Sequence, residues 1–147
     1  MPRIKIDLPE NFSFCMLLNV RITDLNYGDH VGNDTVLSFL HEARVQYLQF
    51  LGYTELDLEG VGLIMSDAAL EFKNEMHHGD KLQISVQAVE FNRVGFDLVY
   101  KIEKKVVDKL LLMVSAKTAM ICYDYALKKV IPLPEAVKIK LSSKQQV

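Results

Sequence analysis

One helix, apolar over much of its surface and flanked in sequence by alternating segments, sets the tightest limit on how this chain can fold. Val36, Leu40, Ala43, Tyr47 and Phe50 recur at spacings of four and three, which puts them on one helical face. Leu37 and Leu48 widen that face to roughly half the circumference, against about 100° for an ordinary core-facing stripe. Asn33 or Asp34 can cap the start, and Gly52 follows Leu51 where such a helix would close. A flat sheet covers only one side of a helix. This pattern therefore predicts a curved sheet wrapped around it.

The remaining segments supply that sheet. Over residues 12–22 the even positions are Phe12, Phe14, Met16, Leu18, Val20 and Ile22, while Ser13, Asn19 and Arg21 fall between them. That alternation is the signature of a half-buried strand. A second strand is predicted over residues 63–73. In a third, Leu82, Ile84, Val86 and Ala88 alternate with Gln83, Ser85 and Gln87. Gly95 opens a fourth, with Phe96, Leu98, Tyr100 and Ile102 facing one way. Residues 107–123 read as a fifth. The turns are marked by His77-His78-Gly79-Asp80 and Asn92-Arg93-Val94-Gly95. Pro132 and Pro134 are expected to end the ordered pattern. One strand, one long helix and then four strands make an α+β layout with a mostly antiparallel sheet of about five strands.

Composition narrows the function classes. With 147 residues, half of them apolar and 24% charged, one globular domain is expected. It would span 1–147, with a core over about 12–136 and a tail over 137–147, frayed from 142. Net charge is −2 with no basic block, so neither nucleic acid nor an anionic membrane is an expected partner. The first ten residues carry Arg3, Lys5, Asp7 and Glu10 without an apolar run, unlike a signal peptide. No stretch reaches membrane-spanning length. Cys15 and Cys122 fall inside strand patterns and read as buried free thiols, which fits a cytoplasmic setting. His77 and His78 have no Cys or carboxylate spacing to make a metal site.

The chemistry concentrates just before the helix. Asp24, Asn26, Asp29, His30, Asn33 and Asp34 crowd into eleven residues together with Gly28 and Gly32. Backbone N–H groups at a helix start lack partners and favour negative charge, so this is a natural place to stabilise an oxyanion.

In this register the chain resembles the hot-dog-fold acyl-CoA thioesterases typified by 4-hydroxybenzoyl-CoA thioesterase. The family's D-x-D-x-x-G-H-V-x-N pattern has its counterparts in Asp24-Leu25-Asn26, His30-Val31 and Asn33, and its E-A-R in Glu42-Ala43-Arg44. A G-D-x-L turn is present as Gly79-Asp80-Lys81-Leu82, and an I-P-L-P segment as Ile131-Pro132-Leu133-Pro134. The resemblance covers roughly residues 14–136. It implies the hot-dog fold, hydrolysis of an acyl-CoA, a homodimer or homotetramer with the substrate at the subunit interface, and no cofactor beyond the coenzyme A of the substrate.

One departure bears on mechanism. The second acidic position of D-x-D is the family's catalytic carboxylate, and here it is Asn26. An amide cannot take a proton from water or form an anhydride, although it can still hydrogen-bond a water or a thioester oxygen. Asp34 is a candidate base, or else a helix cap. Asp24 could serve as base, or hold backbone N–H groups in a turn. His30 could orient water or protonate the departing thiolate, or be a structural loop histidine. Asn33 matters through its backbone N–H, which aligns with the position that polarises the thioester carbonyl. Glu42 reads as solvated, and Arg44 as paired with Asp24 or Glu42. Phe39, Leu40, Tyr47 and Met65 are candidates to line the acyl site. Coenzyme A phosphates could meet Lys73, Lys81, Arg93, Lys101, Lys104 or Lys105. Alternatives to the hydrolase are a catalytically weak acyl-CoA-binding module and, further off, a hot-dog dehydratase or hydratase.

Overall fold

A computed structural model describes residues 3–142. The strands are β1 (Phe14–Asn19), β2 (Gly62–Phe72), β3 (Lys81–Val89), β4 (Gly95–Val106), β5 (Lys109–Asp124) and β6 (Lys129–Val130), and the helices are α1 (Asn33–Phe50) and α2 (Glu135–Ser142). All pairings are antiparallel, in the spatial order β1-β3-β4-β5-β2, with the two-residue β6 on β5.

The sheet curls around α1 as its breadth of apolar surface requires. Leu82, Ile84 and Val86 of β3, Phe96, Leu98 and Ile102 of β4, and Val114, Ala116 and Met120 of β5 are all buried against it. The helix buries Val36, Phe39, Leu40, Ala43, Tyr47 and Leu48, whereas Leu37 and Phe50 stay exposed. Its far end closes as expected around Gly52. The Tyr53 N–H donates to the Leu48 carbonyl (2.8 Å) and the Gly52 N–H to that of Gln49 (2.9 Å). This is the Schellman arrangement, in which a glycine takes the left-handed conformation, here at φ +85°.

Several expectations are corrected. The cap of α1 is Gly32, not Asn33 or Asp34, which occupy the first two helical positions and make no side-chain cap bond. The first strand is shorter than residues 12–22, because residues 22–24 form a 3-10 turn. The fifth strand starts at Lys109, since Val107 adopts φ +47° in the tight turn after β4. Order continues past Pro134 into α2, whose Val137 and Leu141 are buried, so the core reaches beyond residue 136. The tail expected over residues 143–147 lies outside the described residues. Cys122 is buried but Cys15 is only half-buried.

The N-terminal segment was not foreseen as part of the fold. It crosses the sheet's outer face from β1 to β2. Ser13 N–H donates to Gln87 Oε1 (2.8 Å), the Phe12 ring lies 4.9 Å from Lys101 Nζ, and Ile6 N–H donates to Glu71 Oε1 (2.7 Å). Ser85 and Ser115, both buried, share the cross-strand row that holds Lys101 and Glu71.

Candidate active site

The loop between β1 and α1 gathers most of the candidate residues around two glycines. The backbone first doubles back: the Asn26 N–H donates to the His30 carbonyl (2.9 Å) and the Asp29 N–H to that of Asn26 (3.2 Å). Val31 N–H then ties the loop to the Met76 carbonyl (2.9 Å). Asn26 Oδ1 accepts from the Gly28 N–H at 2.8 Å, an Asx turn. That bond orients the amide and leaves its two Nδ2 hydrogens as donors.

A Cβ at Gly28 would lie 3.2 Å from Asn26 Oδ1 and 3.3 Å from His30 Nε2, so amide and imidazole flank the same glycine. His30 Nδ1 donates to the Val31 carbonyl (3.1 Å), which turns Nε2 toward the loop. At Gly32 a Cβ would fall 2.6 Å from Asp34 Oδ1 and 3.8 Å from Asn26 Nδ2. Asn26 and Asp34 thus approach one point from two sides, and a side chain at 32 would displace the carboxylate. This crowding is why a glycine caps α1.

Helical bonding begins with Val36 N–H donating to the Gly32 carbonyl (3.2 Å). The N–H groups of Asn33, Asp34 and Thr35 precede it and have no helical acceptor. Asn26, Asn33 and Asp34 are exposed and His30 is half-buried. The site therefore offers a carboxylate, an amide donor, an imidazole and unpaired backbone donors within one turn.

Asp24 does not join this group. It is 4% exposed and turned away into its own turn, accepting from Arg21 N–H (2.8 Å), Nε (3.3 Å) and Nη2 (3.1 Å). Burial pushes its carboxyl up, but the Arg21 bonds and charge outweigh that and hold it below the ordinary value. Of its two readings, the structural one fits.

Arg44 is also corrected. Its partners are neither Asp24 nor Glu42 but Glu55, from Nε at 3.3 Å, and the Tyr100 hydroxyl, from Nη1 at 3.3 Å. Glu42 is exposed and accepts from Gln46, as a solvated helix face should. His77 and His78 are exposed in their turn, and among the described residues no three His, Cys, Asp or Glu side chains cluster as a metal site.

One cleft borders the loop and a second runs along α1. One, of about 170 Å³, lies between His30, Asn33 and the end of β2 at Phe72 and Lys73. The other, of about 260 Å³, runs along α1 past Leu37, Leu40 and Arg44, with Met65 and Thr118 opposite. Leu40 and Met65 do line a cleft, whereas Phe39 and Tyr47 belong to the closed core. Sequence reasoning missed Thr118, and it gave Arg44 the wrong ion-pair partners although its spacing from Leu40 and Tyr47 puts a charge on the apolar face. A larger hollow of about 940 Å³ sits beneath the N-terminal segment on the outer face and contains none of the loop residues. Lys101 faces that hollow, while Lys73 and Lys104 are paired with Glu71 and Asp80.

Comparison with known proteins decides the family. The model of the thioesterase-like superfamily matches residues 20–141. The chain belongs to the thioesterase-like superfamily. Within it, the chain is 30% identical over 106 residues to a 1,4-dihydroxy-2-naphthoyl-CoA hydrolase of Microcystis aeruginosa, covering 70% of this chain and 74% of that one. Among solved structures, a 1,4-dihydroxy-2-naphthoyl-CoA thioesterase from Synechocystis superposes with a TM-score of 0.77 at 21% identity, over 87% of this chain and 94% of that one. A mutant 4-hydroxybenzoyl-CoA thioesterase complexed with 4-hydroxybenzoyl-CoA gives 0.78 at 17% identity, over 88% and 98%. This thioesterase-like chain has the hot-dog architecture of those neighbours. Among its described residues no helix is long and apolar enough to cross a membrane.

Proposed function

We propose that the protein hydrolyses acyl-CoA thioesters, releasing a carboxylic acid and free coenzyme A. The observation that carries this reading is the convergence of Asn26, Asp34 and the unpaired N–H groups of the α1 start around Gly32. A thioester carbonyl seated over the Asn33 N–H would be polarised by that donor, and the same dipole would stabilise the oxyanion formed on attack. Asp34 takes a proton from the attacking water, and Asn26 Nδ2 donates to the water or to the oxyanion. With Nδ1–H held by the Val31 carbonyl, His30 acts as general acid in its imidazolium form, giving its Nε2 proton to the leaving thiolate, while the proton taken by Asp34 returns to solvent. The kinship with proteins named as thioester hydrolases points the same way.

The working form in this proposal is a homodimer or homotetramer. β2, eleven residues long, is the end strand in the sheet order, and beyond Leu63, whose N–H donates to the Glu55 carbonyl, its outer edge pairs with no strand among the described residues. Met65 and Phe72 of β2 and Leu37 of α1 are exposed. Long free edges with apolar neighbours seek partners, and a second copy placed there would cover both clefts. Light scattering on the purified chain should show an even-numbered oligomer; a stable monomer at micromolar concentration removes the interface site.

A second reading, an acyl-CoA-binding module with little turnover, is favoured by one observation: Asn26 stands where the resembled family has its carboxylate. Thiol release measured across short, long and aromatic acyl-CoAs separates the two. For a hydrolase using Asp34, Asp34→Asn lowers turnover by about 10²–10⁴ while coenzyme A binding persists, and Asn26→Asp crowds a second negative charge into the site and slows it. For a binding module, Asp34→Asn changes little and Asn26→Asp creates hydrolysis. Full activity in Asp34→Asn would transfer the base role to another loop group.

A further inference from the structure

We propose that the cleft along α1 selects acyl groups bearing a neutral oxygen, hydroxyl or oxo, at the far end, and that Thr118 and Arg44 read that oxygen. The proposal rests on the thioesterase reading above. The cleft begins at Leu37, one turn beyond the Asn33–Asp34 pair, and reaches Arg44, a span of seven residues or about 10 Å along the helix axis. An acyl group whose carbonyl sits at the helix start would lie along it. Leu37 and Met65, 43% and 46% exposed, give it apolar walls.

The far end is different in kind. Arg44 is 7% exposed, and a buried guanidinium is costly unless its hydrogens find acceptors. Nε donates to Glu55 and Nη1 to Tyr100, which uses two of five N–H donors. The other three have no acceptor among the described residues. The Tyr100 hydroxyl is fully buried and its oxygen already accepts from Arg44, so its hydrogen needs an acceptor too. Thr118 Oγ1, at 2.7 Å, provides one. Burial pushes the Tyr100 phenol up, so that hydrogen stays in place. With Tyr100 donating, the hydrogen of Thr118 is left for whatever occupies the cleft.

The floor thus presents donors, from Arg44 and Thr118, and calls for an oxygen acceptor. Glu55 lies 3.3 Å from the guanidinium and offsets its charge, which favours a neutral oxygen over a second carboxylate. An acyl group with a purely hydrocarbon tip would cover these donors without bonding them. Covering donors without matching them costs about 1–3 kcal/mol, equivalent to roughly a 5- to 150-fold loss in kcat/KM.

The test compares matched thioesters that differ by one oxygen: 4-hydroxybenzoyl-CoA against benzoyl-CoA, and 6-hydroxyhexanoyl-CoA against hexanoyl-CoA. For at least one pair, the parent should prefer the hydroxylated member in kcat/KM by about fivefold or more. Thr118→Val, which keeps the side-chain shape, should bring that ratio close to one, and Thr118→Ser, which keeps the hydroxyl, should restore it. A ratio near one in the parent for both pairs overturns the proposal. So does an equal slowing of both members in Thr118→Val, the mark of a purely structural residue. If no thioester is cleaved, the thioesterase reading is what fails, and the preference is then read from Kd by calorimetry on the intact thioesters. Equal Kd values within both pairs overturn the proposal, and tighter binding of a hydroxylated member upholds it.

Discussion

The two ends of α1 are built from the same kind of helix-terminus problem and solve it in opposite ways. At the C-terminal end the Tyr47, Leu48 and Gln49 carbonyls all accept hydrogen bonds. Tyr53 and Gly52 bond the Leu48 and Gln49 carbonyls, the Tyr53 hydroxyl donates to Glu59 (2.8 Å), and α2, with Val137 and Leu141 buried, brings Lys140 Nζ to 4.8 Å from the Tyr53 ring. At the N-terminal end, Gly32 replaces a capping side chain and the first N–H groups face the loop without partners. The chain spends packing on one end and leaves hydrogen-bonding capacity unspent on the other. Unmet donors cost stability, so their persistence beside an exposed carboxylate is the mark of a site shaped for a ligand.

That contrast can be broken most sharply at Asn33. It is the first helical residue, a position where proline fits, and Gly32 before it sits at φ −72°, ψ 153°, which proline tolerates in its predecessor. Asn33→Pro therefore deletes one N–H while keeping the helix. Turnover should fall by about 10²–10³, the usual cost of one oxyanion donor, and Asn33→Ala should lose far less. Thiol release by the two variants, with circular dichroism to confirm the fold, checks this. Equal losses in both would place the function of Asn33 in its side chain and make the open end less special than proposed.

The sealed end should respond in stability alone. Leu141 is almost fully buried on α2, and truncating a core leucine costs about 2–5 kcal/mol. Leu141→Ala should lower the melting temperature by about 5–15 °C, with the rate per folded molecule retained. A large drop in rate at temperatures where the variant is folded would mean that the two ends communicate along α1.

How much of this was visible in the sequence depended on the range of each interaction. Gly52 was legible because its role follows from its own backbone freedom. The alternation in β3 and β4 was legible because one face of each strand is apolar and packs on α1 while the other carries mostly polar residues. The convergence of Asn26 and Asp34 was half legible: the residues were identifiable as a group, but that Gly32 brings them together appears only in three dimensions. Arg44 was misassigned because its partners, Glu55 and Tyr100, lie beyond a turn and across the sheet. α2 was missed because Pro132 and Pro134 read as an ending. The Pro134 carbonyl in fact accepts from Val137 (3.1 Å) and Lys138 (3.2 Å), and a proline just before a helix is a normal start. The N-terminal crossing carries no periodic signal at all, being fastened by single bonds to residues more than sixty positions away.

The smallest effect expected separates the two aspartates of the loop by pH. Asp24 is a buried acceptor whose carboxyl is held below its ordinary value, with burial opposing and the Arg21 hydrogen bonds and charge prevailing. In the unfolded chain the same group titrates near 3.9. The unfolded state therefore binds more protons in this interval, and stability rises with pH. The Asp24 contribution is fully present above about pH 5 and is lost as pH falls below about 4 toward the lower folded value. Hydrogen bonds to a charged group are worth about 1.5–3 kcal/mol, so Asp24→Asn should lower the melting temperature by a few degrees at pH 6 and by less at pH 3. Asp34 is exposed and its side chain makes no hydrogen bond among the described residues, so Asp34→Asn should leave the melting temperature at pH 6 close to that of the parent while removing turnover. Melting curves of both variants at the two pH values decide it. If Asp34→Asn flattened the acid limb and Asp24→Asn did not, the structural and catalytic roles would have to be exchanged between them.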